Sequence, residues 1–218
     1  MKRLNDVTLI VQAPVEPPNL GAMVVNKACE GLEFADVVLV TTSPPSIPFP
    51  GRLVPVPLMD WSSWQAIQAY GMHDQFNTSH ALFCECDGFP IHPSLWDDKW
   101  LGYDYIGAPW SPMSNPRQSP APDEYRVGNG GCSLQSKRFR ELLYMRRKDY
   151  IPGTASDMWI CQNPNIRRRC GMAGFTFAPV DEAIRFSFEG DVPEFPGWST
   201  DKSFAFHGRI LHRNLCLI

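Results

Sequence analysis

Eight residues constrain this chain more than any others: Ala81-Leu-Phe-Cys-Glu-Cys-Asp-Gly88. Apolar residues bounded by turn chemistry predict a buried strand over 81–85, and two carboxylates, Glu85 and Asp87, fall where that strand runs out. Side chains two apart on a strand point the same way. Both acids are therefore expected to project from the C-terminal edge of a sheet, the edge at which open α/β folds hold their ligands. Like charges this close repel unless a cation lies between them, and carboxylate oxygens suit a hard ion such as Mg²⁺ or Mn²⁺. The same residues also read as an exposed loop with two ordinary acids. Cys84 and Cys86 flank Glu85 with period two and are expected to pack as small buried groups on the opposite face.

The 218 residues, 44% hydrophobic and 20% charged, suffice for one substantial soluble domain. A formal net charge of -3 gives no global electrostatic case for nucleic-acid binding and leaves only local basic patches to consider. The first twelve residues hold too short an apolar run for a signal peptide, and no segment approaches membrane-spanning length, which points to the cytoplasm. Seven cysteines without a Cys-x-x-Cys pair argue against a disulfide framework or a zinc ribbon.

In chain order, Asp6–Val11 predicts a first strand that ends in the proline-rich turn 13–19. Asn19 is placed to cap a helix from Leu20 to about Leu32. Asp36–Thr41 predicts a second buried strand, and Arg52-Leu-Val-Pro-Val56 a short one demoted to an edge by its prolines. Strand, helix and strand at this spacing form a βαβ unit, which implies a parallel sheet and a nucleotide-binding arrangement. Asp60 caps a helix to about Tyr70, and a short helix is expected over 92–100. Residues 111–125 lack periodicity and read as a long surface loop, the kind that serves as a lid or a substrate contact.

Gly128, Gly130 and Gly131 either mark a tight turn or let the backbone approach a ligand or take positive φ. A helix follows from Lys137 to about Met145, and another starts at Ser156 with Asp157 in its first turn. Gly174–Pro179 predicts a strand with alternating faces. No linker divides the chain, so a single domain over 1–218 is expected.

Four stretches in this order, Cys84-Glu-Cys-Asp-Gly-Phe89, Tyr103-Asp-Tyr-Ile-Gly-Ala-Pro-Trp110, Val127-Gly-Asn-Gly-Gly-Cys-Ser-Leu-Gln-Ser136 and Phe204-Ala-Phe-His-Gly208, resemble a GT-A-type glycosyltransferase-like domain family. The resemblance implies a Rossmann-like nucleotide-sugar half over about 1–90, with a mixed, mostly parallel sheet, and an acceptor-binding half over about 91–218. It implies a metal-dependent transfer of a sugar from a nucleotide sugar, with UDP-sugars favoured, to an acceptor hydroxyl. Asp87 matches the last acid of the DxD-type motif. Glu85 holds the first acidic place with a longer side chain, able to reach ribose or metal, and His207 matches a late histidine that completes the Mn²⁺ or Mg²⁺ site.

Asp157 matches an acid at a helix start beside the acceptor, the place of a catalytic base. Without the resemblance it is a first-turn charge favourable to the helix dipole. Gln12, Ala13 and Pro14 after the first strand, and Thr41 and Thr42 after the second, lie where base and ribose contacts occur in such sheets. Gly130 and Gly131 would let backbone pass the donor sugar, with Asn129 and Ser133 free to bond hydroxyls. Tyr105 and Trp110 read either as a stacking wall or as core aromatics.

Basic residues concentrated between 137 and 169 read as a solvated face or as a surface for DNA carrying a hydroxylated base, an alternative to a saccharide acceptor. Glu in place of the first Asp of the motif keeps open a further reading, a non-catalytic carbohydrate- or nucleotide-binding module.

Overall fold

The computed structural model describes residues 1–14, 16–111 and 125–208. Its centre is a parallel βαβ core. Strand β1 (Lys2–Ala13) is flanked by β2 (Leu32–Thr41) on one side and β4 (His80–Glu85) on the other, with β3 (Arg52–Pro55) at the edge beyond β2. All four run parallel. Beyond β4 the sheet becomes mixed. β5 (Gly88–Pro90) turns back antiparallel to the end of β4 and pairs with β9 (Ala205–His207), which pairs in turn with β8 (Ser187–Phe188). β7 (Cys132–Ser136) lies antiparallel along β4 and carries β6 (Tyr105–Gly107) on its far side. The nine strands form one α/β sheet whose central part is parallel, as expected.

Strict alternation explains the layers. Leu9, Val11, Ala13, Leu39, Leu82 and Cys84 face helix α1 (Pro18–Ala28) in one core, while Ile10, Val38, Val40, Ala81 and Phe83 face helix α2 (Trp61–Tyr70) in another. A sheet covered on both faces needs apolar residues on both, which is why β1 is buried without a break from Val7 onward. Gly21 lets α1 sit against the sheet, since a Cβ there would lie 2.8 Å from that of Ala13. A third core joins α3 (Lys137–Met145), α4 (Ser156–Cys161) and α5 (Pro164–Met172) around Tyr105, Phe139 and Trp159. Cys84 and Cys86 both lie buried on the α1 side, opposite Glu85. The six cysteines among the described residues are free.

Several local expectations need correction. The first helix ends at Ala28, not near Leu32, because Gly31 turns the chain at φ +78° and Leu32 already opens β2. Its cap is Pro17, with no side-chain bond, while Asn19 accepts instead from the Ser46 backbone N–H at 2.7 Å and pins the proline-rich connection. Residues 92–100 form two 3₁₀ turns, Pro93–Leu95 and Asp98–Gly102. Gly174–Pro179 makes a single bridge, Phe177 to Tyr105, because Pro179 ends the pairing and caps α6 (Val180–Phe186). β7 was not anticipated, since its glycine-rich approach masks it. Of the predicted 111–125 loop, residues 112–124 lie outside the described residues. No helix among the described residues is long and apolar enough to cross a membrane.

Asp104 ties the second half together. Its buried carboxylate accepts from Ser136 Oγ at 2.6 Å, from Arg138 Nε at 2.7 Å and from the Thr176 backbone N–H at 2.9 Å. Burial alone would raise its pKa, and these donors outweigh that and hold it below the usual carboxylate value. Asp104→Asn is expected to cost about 2–3 kcal/mol at neutral pH. A depressed folded pKa means this stabilisation is complete above the unfolded value of about 3.9 and fades as pH falls through the folded one. Urea unfolding at neutral and acid pH checks both statements, because the variant should lose less stability on acidification than the parent chain.

Candidate active site

Sheet pairing assembles the site. Glu85 is the last residue of β4, Gly88 opens β5 opposite it, and His207 closes β9 in register with Gly88. Residues remote in sequence thus meet across adjacent strand ends. His207 Nε2 lies 3.7 Å from Asp87 Oδ1 and 3.9 Å from Glu85 Oε2, and one donor atom from each of the three falls within 4.8 Å of the others. The turn is fixed by the Gly208 N–H bonding Asp87 O at 2.9 Å and the Glu85 N–H bonding Gly131 O at 2.8 Å.

The glycine cluster makes room for this imidazole. A Cβ on Gly131 would stand 2.0 Å from His207 Cδ2, and one on Gly88 would meet Gly131 O at 2.6 Å. None of Gly128, Gly130 and Gly131 takes positive φ. A Cβ on Gly128 would meet Cys161 and Trp110, and one on Gly130 would lie 3.3 Å from the Cβ of Asp157.

Electrostatically the site is short of positive charge. His207 Nδ1 bonds Glu189 Oε1 at 3.3 Å, which leaves Nε2 facing Glu85 and Asp87. Burial would lower the imidazole pKa, yet the bond and charge of Glu189, with Glu85 and Asp87 behind it, raise it to about 9. Burial pushes the Glu85 carboxyl up against the pull of His207 and Gln68. Asp157 is pushed up to about 6 by burial, partly offset by the bond its Oδ1 accepts from the Met158 N–H, with Glu85 and Glu189 adding to the rise.

This donor set fits a hard divalent ion. It offers two carboxylates and an imidazole nitrogen, and the other nitrogen of that imidazole is oriented by an outer carboxylate, the usual arrangement around a metal-ligating histidine. A hydrogen-bond relay connects it to Asp157. Gln68 Nε2 donates to Glu85 Oε1 at 2.5 Å, Gln65 Nε2 donates to Gln68 Oε1 at 2.8 Å, and the Ser156 backbone N–H donates to Gln65 Oε1 at 2.7 Å. Ser156 begins α4, so the acid motif and the helix start that carries Asp157 are held in one chain of bonds. Asp157, His207, Glu189, Asp191, Asn129 and Trp110 line one cavity of about 480 Å³, the size of a small-molecule site.

The remaining predicted residues separate by place. Gln12 is buried and pairs in register with Glu85; Ala13 packs in the core beneath α1, Pro14 is buried, Thr41 pairs with Ala13 and is fully buried, and Thr42 is half-buried at the exit of β2. Tyr105 is no stacking wall: it is wholly buried and its hydroxyl donates to Gly128 O at 2.7 Å. Ser133 is likewise enclosed, with its hydroxyl accepting from Gln135, and Asn129 Oδ1 is committed to the Gly131 N–H. The basic stretch is thinner than its composition, since Arg138 pairs with Asp104 and Arg140 is buried. Sequence reasoning missed Gln65, Gln68, Glu189 and Asp191.

Residues 66–207 match the model of a family described as "Protein of unknown function (DUF5672)". The chain belongs to this family. The DUF5672 match covers the second half of α2, the acid turn, Asp157, Glu189 and His207. No curated protein sequence matches. Among solved structures, a glycosyltransferase involved in glycosylation of the major capsid of PBCV-1 aligns at 13% identity and TM-score 0.53, covering 96% of this chain and 97% of its own. The galactosyltransferase LgtC, in complex with donor and acceptor sugar analogs, aligns at 12% identity and TM-score 0.51, covering 92% and 86%. At these identities the likeness shows the fold, and the DUF5672 chain has a GT-A-like one.

In the metal-free protein the His207 imidazole is expected to titrate near pH 9, and Glu189→Gln to lower that value by removing the carboxylate behind Nδ1. A folded pKa above the unfolded one of about 6.5 means this cluster stabilises fully below that pH and loses its contribution as pH rises through about 9. Imidazole NMR shifts followed over pH, with thermal melts alongside, measure both.

Proposed function

We propose that this chain is a metal-dependent glycosyltransferase that moves a sugar from a nucleotide sugar, a UDP-sugar by preference, to an acceptor hydroxyl. The observation that carries the reading is one cavity at the C-terminal edge of the sheet, with Glu85, Asp87 and His207 clustered beside it and Asp157 in its wall. The GT-A-like fold of the chain supports it. Glu85, Asp87 and His207 would hold Mn²⁺ or Mg²⁺, which would supply Lewis-acid stabilisation of the negative charge that develops on the departing nucleoside diphosphate.

The side chains of this protein divide the remaining work. Glu189 holds the His207 ring so that Nε2 faces the two acids, and the Gln68 bond to Oε1 leaves Oε2 as the Glu85 oxygen nearest His207. Asp157 takes the proton of the attacking hydroxyl. Its raised pKa, about 6, makes it a stronger base than an exposed aspartate while leaving it ionised at neutral pH. Trp110 offers an apolar wall to a sugar ring. Thr42, half-buried at the exit of β2, is assigned to base and ribose, and the backbone at Gly130 and Gly131 to the donor sugar, while Ala13 and Thr41 are enclosed in the core beneath them. Residues about 1–90 then serve chiefly the donor and about 91–218 the acceptor within one cytoplasmic domain, and a saccharide is the acceptor we favour over a modified DNA base, since Arg138 pairs with Asp104 and Arg140 is buried.

Calorimetry with UDP and GDP, with and without Mn²⁺, tests the reading. Metal-linked binding is expected, and Asp87→Asn is expected to abolish it with the fold intact. No metal-linked affinity for either nucleotide would overturn the proposal. Asp157→Asn should keep nucleotide binding but slow transfer roughly 10²–10⁴-fold, the range for losing a general base. Transfer by the parent enzyme should fall as pH drops through about 6, a limb that a pH–rate profile of the variant should lack.

A further inference from the structure

Next to the main cavity lies a second one of about 20 Å³, walled among others by Gln12, Gln68, Arg140, Gly130, Ser156 and Asp157. That volume admits one water-sized group. Asp157 belongs to both cavities. Two other walls adjoin Glu85, since Gln12 pairs in register with it and Gln68 bonds its carboxylate.

Two polar atoms of these walls have no partner. Arg140 is 1% exposed, and its guanidinium donates from Nη1 to Gln135 Oε1 at 3.2 Å and from Nη2 to Gly71 O at 2.5 Å, with the Phe83 ring face 5.0 Å away. Among the described residues its Nε–H bonds nothing and no carboxylate pairs with it. Gln12 is 7% exposed, and its Oε1 is buried and equally unpartnered. Burial lowers the Arg140 pKa to about 10, so the cation persists at neutral pH. An enclosed cation without a counter-charge and an orphaned acceptor are each costly, and as walls of one cavity they define what would relieve them. The group must accept from an N–H and donate to an amide oxygen. A hydroxyl does both, whereas a carboxylate only accepts, an ammonium only donates and a methyl group does neither. An acetamido group is too large for the space.

We propose that this annex receives one hydroxyl of the transferred sugar, Arg140 donating to it and Gln12 accepting from it, so that donors are selected for an unsubstituted hydroxyl at that position. The inference rests on the glycosyltransferase reading. In the absence of donor a water takes the hydroxyl's place. A site built around a hydroxyl rejects analogues that lack it far more strongly than an apolar pocket rejects a missing methylene, because its own polar groups are then left bare.

The test is calorimetry in Mn²⁺ with UDP-glucose, UDP-galactose and GDP-mannose, followed by the monodeoxy forms of whichever binds. Deoxygenation at one ring position should weaken binding to the parent protein by about tenfold or more, and should cost Arg140→Met at most about threefold, a difference typical of a lost charge-assisted hydrogen bond. UDP alone, which has no transferred sugar, reports whether the variant keeps its nucleotide site, and Gln12→Leu replaces Arg140→Met if that variant does not fold. Equal deoxygenation penalties in parent and variant, or none at any position, overturn this inference and leave the glycosyltransferase reading standing. Failure of UDP, GDP and all three sugars to bind the parent protein overturns both.

Discussion

Carboxylate crowding at the exit of β4 is the constraint on which the rest of the structure turns. Glu85, Asp87 and Glu189 surround one imidazole, and Asp157 and Asp191 stand in the same cavity wall. A folded chain keeps such a concentration of negative charge only where something offsets it. In the metal-free protein the His207 cation is that counter-charge, held on to about pH 9 by its neighbours. A divalent ion would supply the same compensation and free His207 to act as a neutral ligand, so the charge arrangement and the proposed cofactor follow from one requirement.

The architecture serves that crowding. Parallel strands bring their C-terminal ends to one edge, and the turn from β4 into β5 lets β9 deliver a residue from the far end of the chain beside Glu85. Space is made by omission, since side chains at Gly88 and Gly131 would displace the His207 ring. Rigidity comes from amides: Gln68 and Gln65 on α2 run from the Glu85 carboxylate to the first N–H of α4, so the helix start that carries Asp157 and the acid turn share one frame. Amides suit this position because they donate at one end and accept at the other without adding charge to a site already crowded with it.

How much of this was legible depended on the range of the interaction. The βαβ core, the Asp60-capped helix and the strand leading to Glu85 were readable because alternation and capping are local signals, and there local preference and tertiary packing agree. Asp87, His207 and Asp157 were drawn into one site by the order of four motifs, not by any one of them. Glu189 and the two glutamines were not readable, because an acid after a two-residue strand and amides on a helix look like ordinary surface. Ser133 was misplaced, and Tyr105 left open between a stacking wall and the core, for a related reason: an aromatic and a small hydroxyl next to glycines suit a ligand site and a tight core equally well. The glycines themselves carried a true signal of close approach, but what approaches is His207, a residue some eighty positions away in the chain.

Anomalous diffraction from crystals grown with Mn²⁺ and UDP tests the central claim most directly. The account predicts a manganese peak between Asp87 and His207 Nε2, with a Glu85 oxygen in reach, UDP phosphates on its open side and Asp157 across the cavity. A peak elsewhere, or nucleotide bound with no manganese at these three residues, would contradict it.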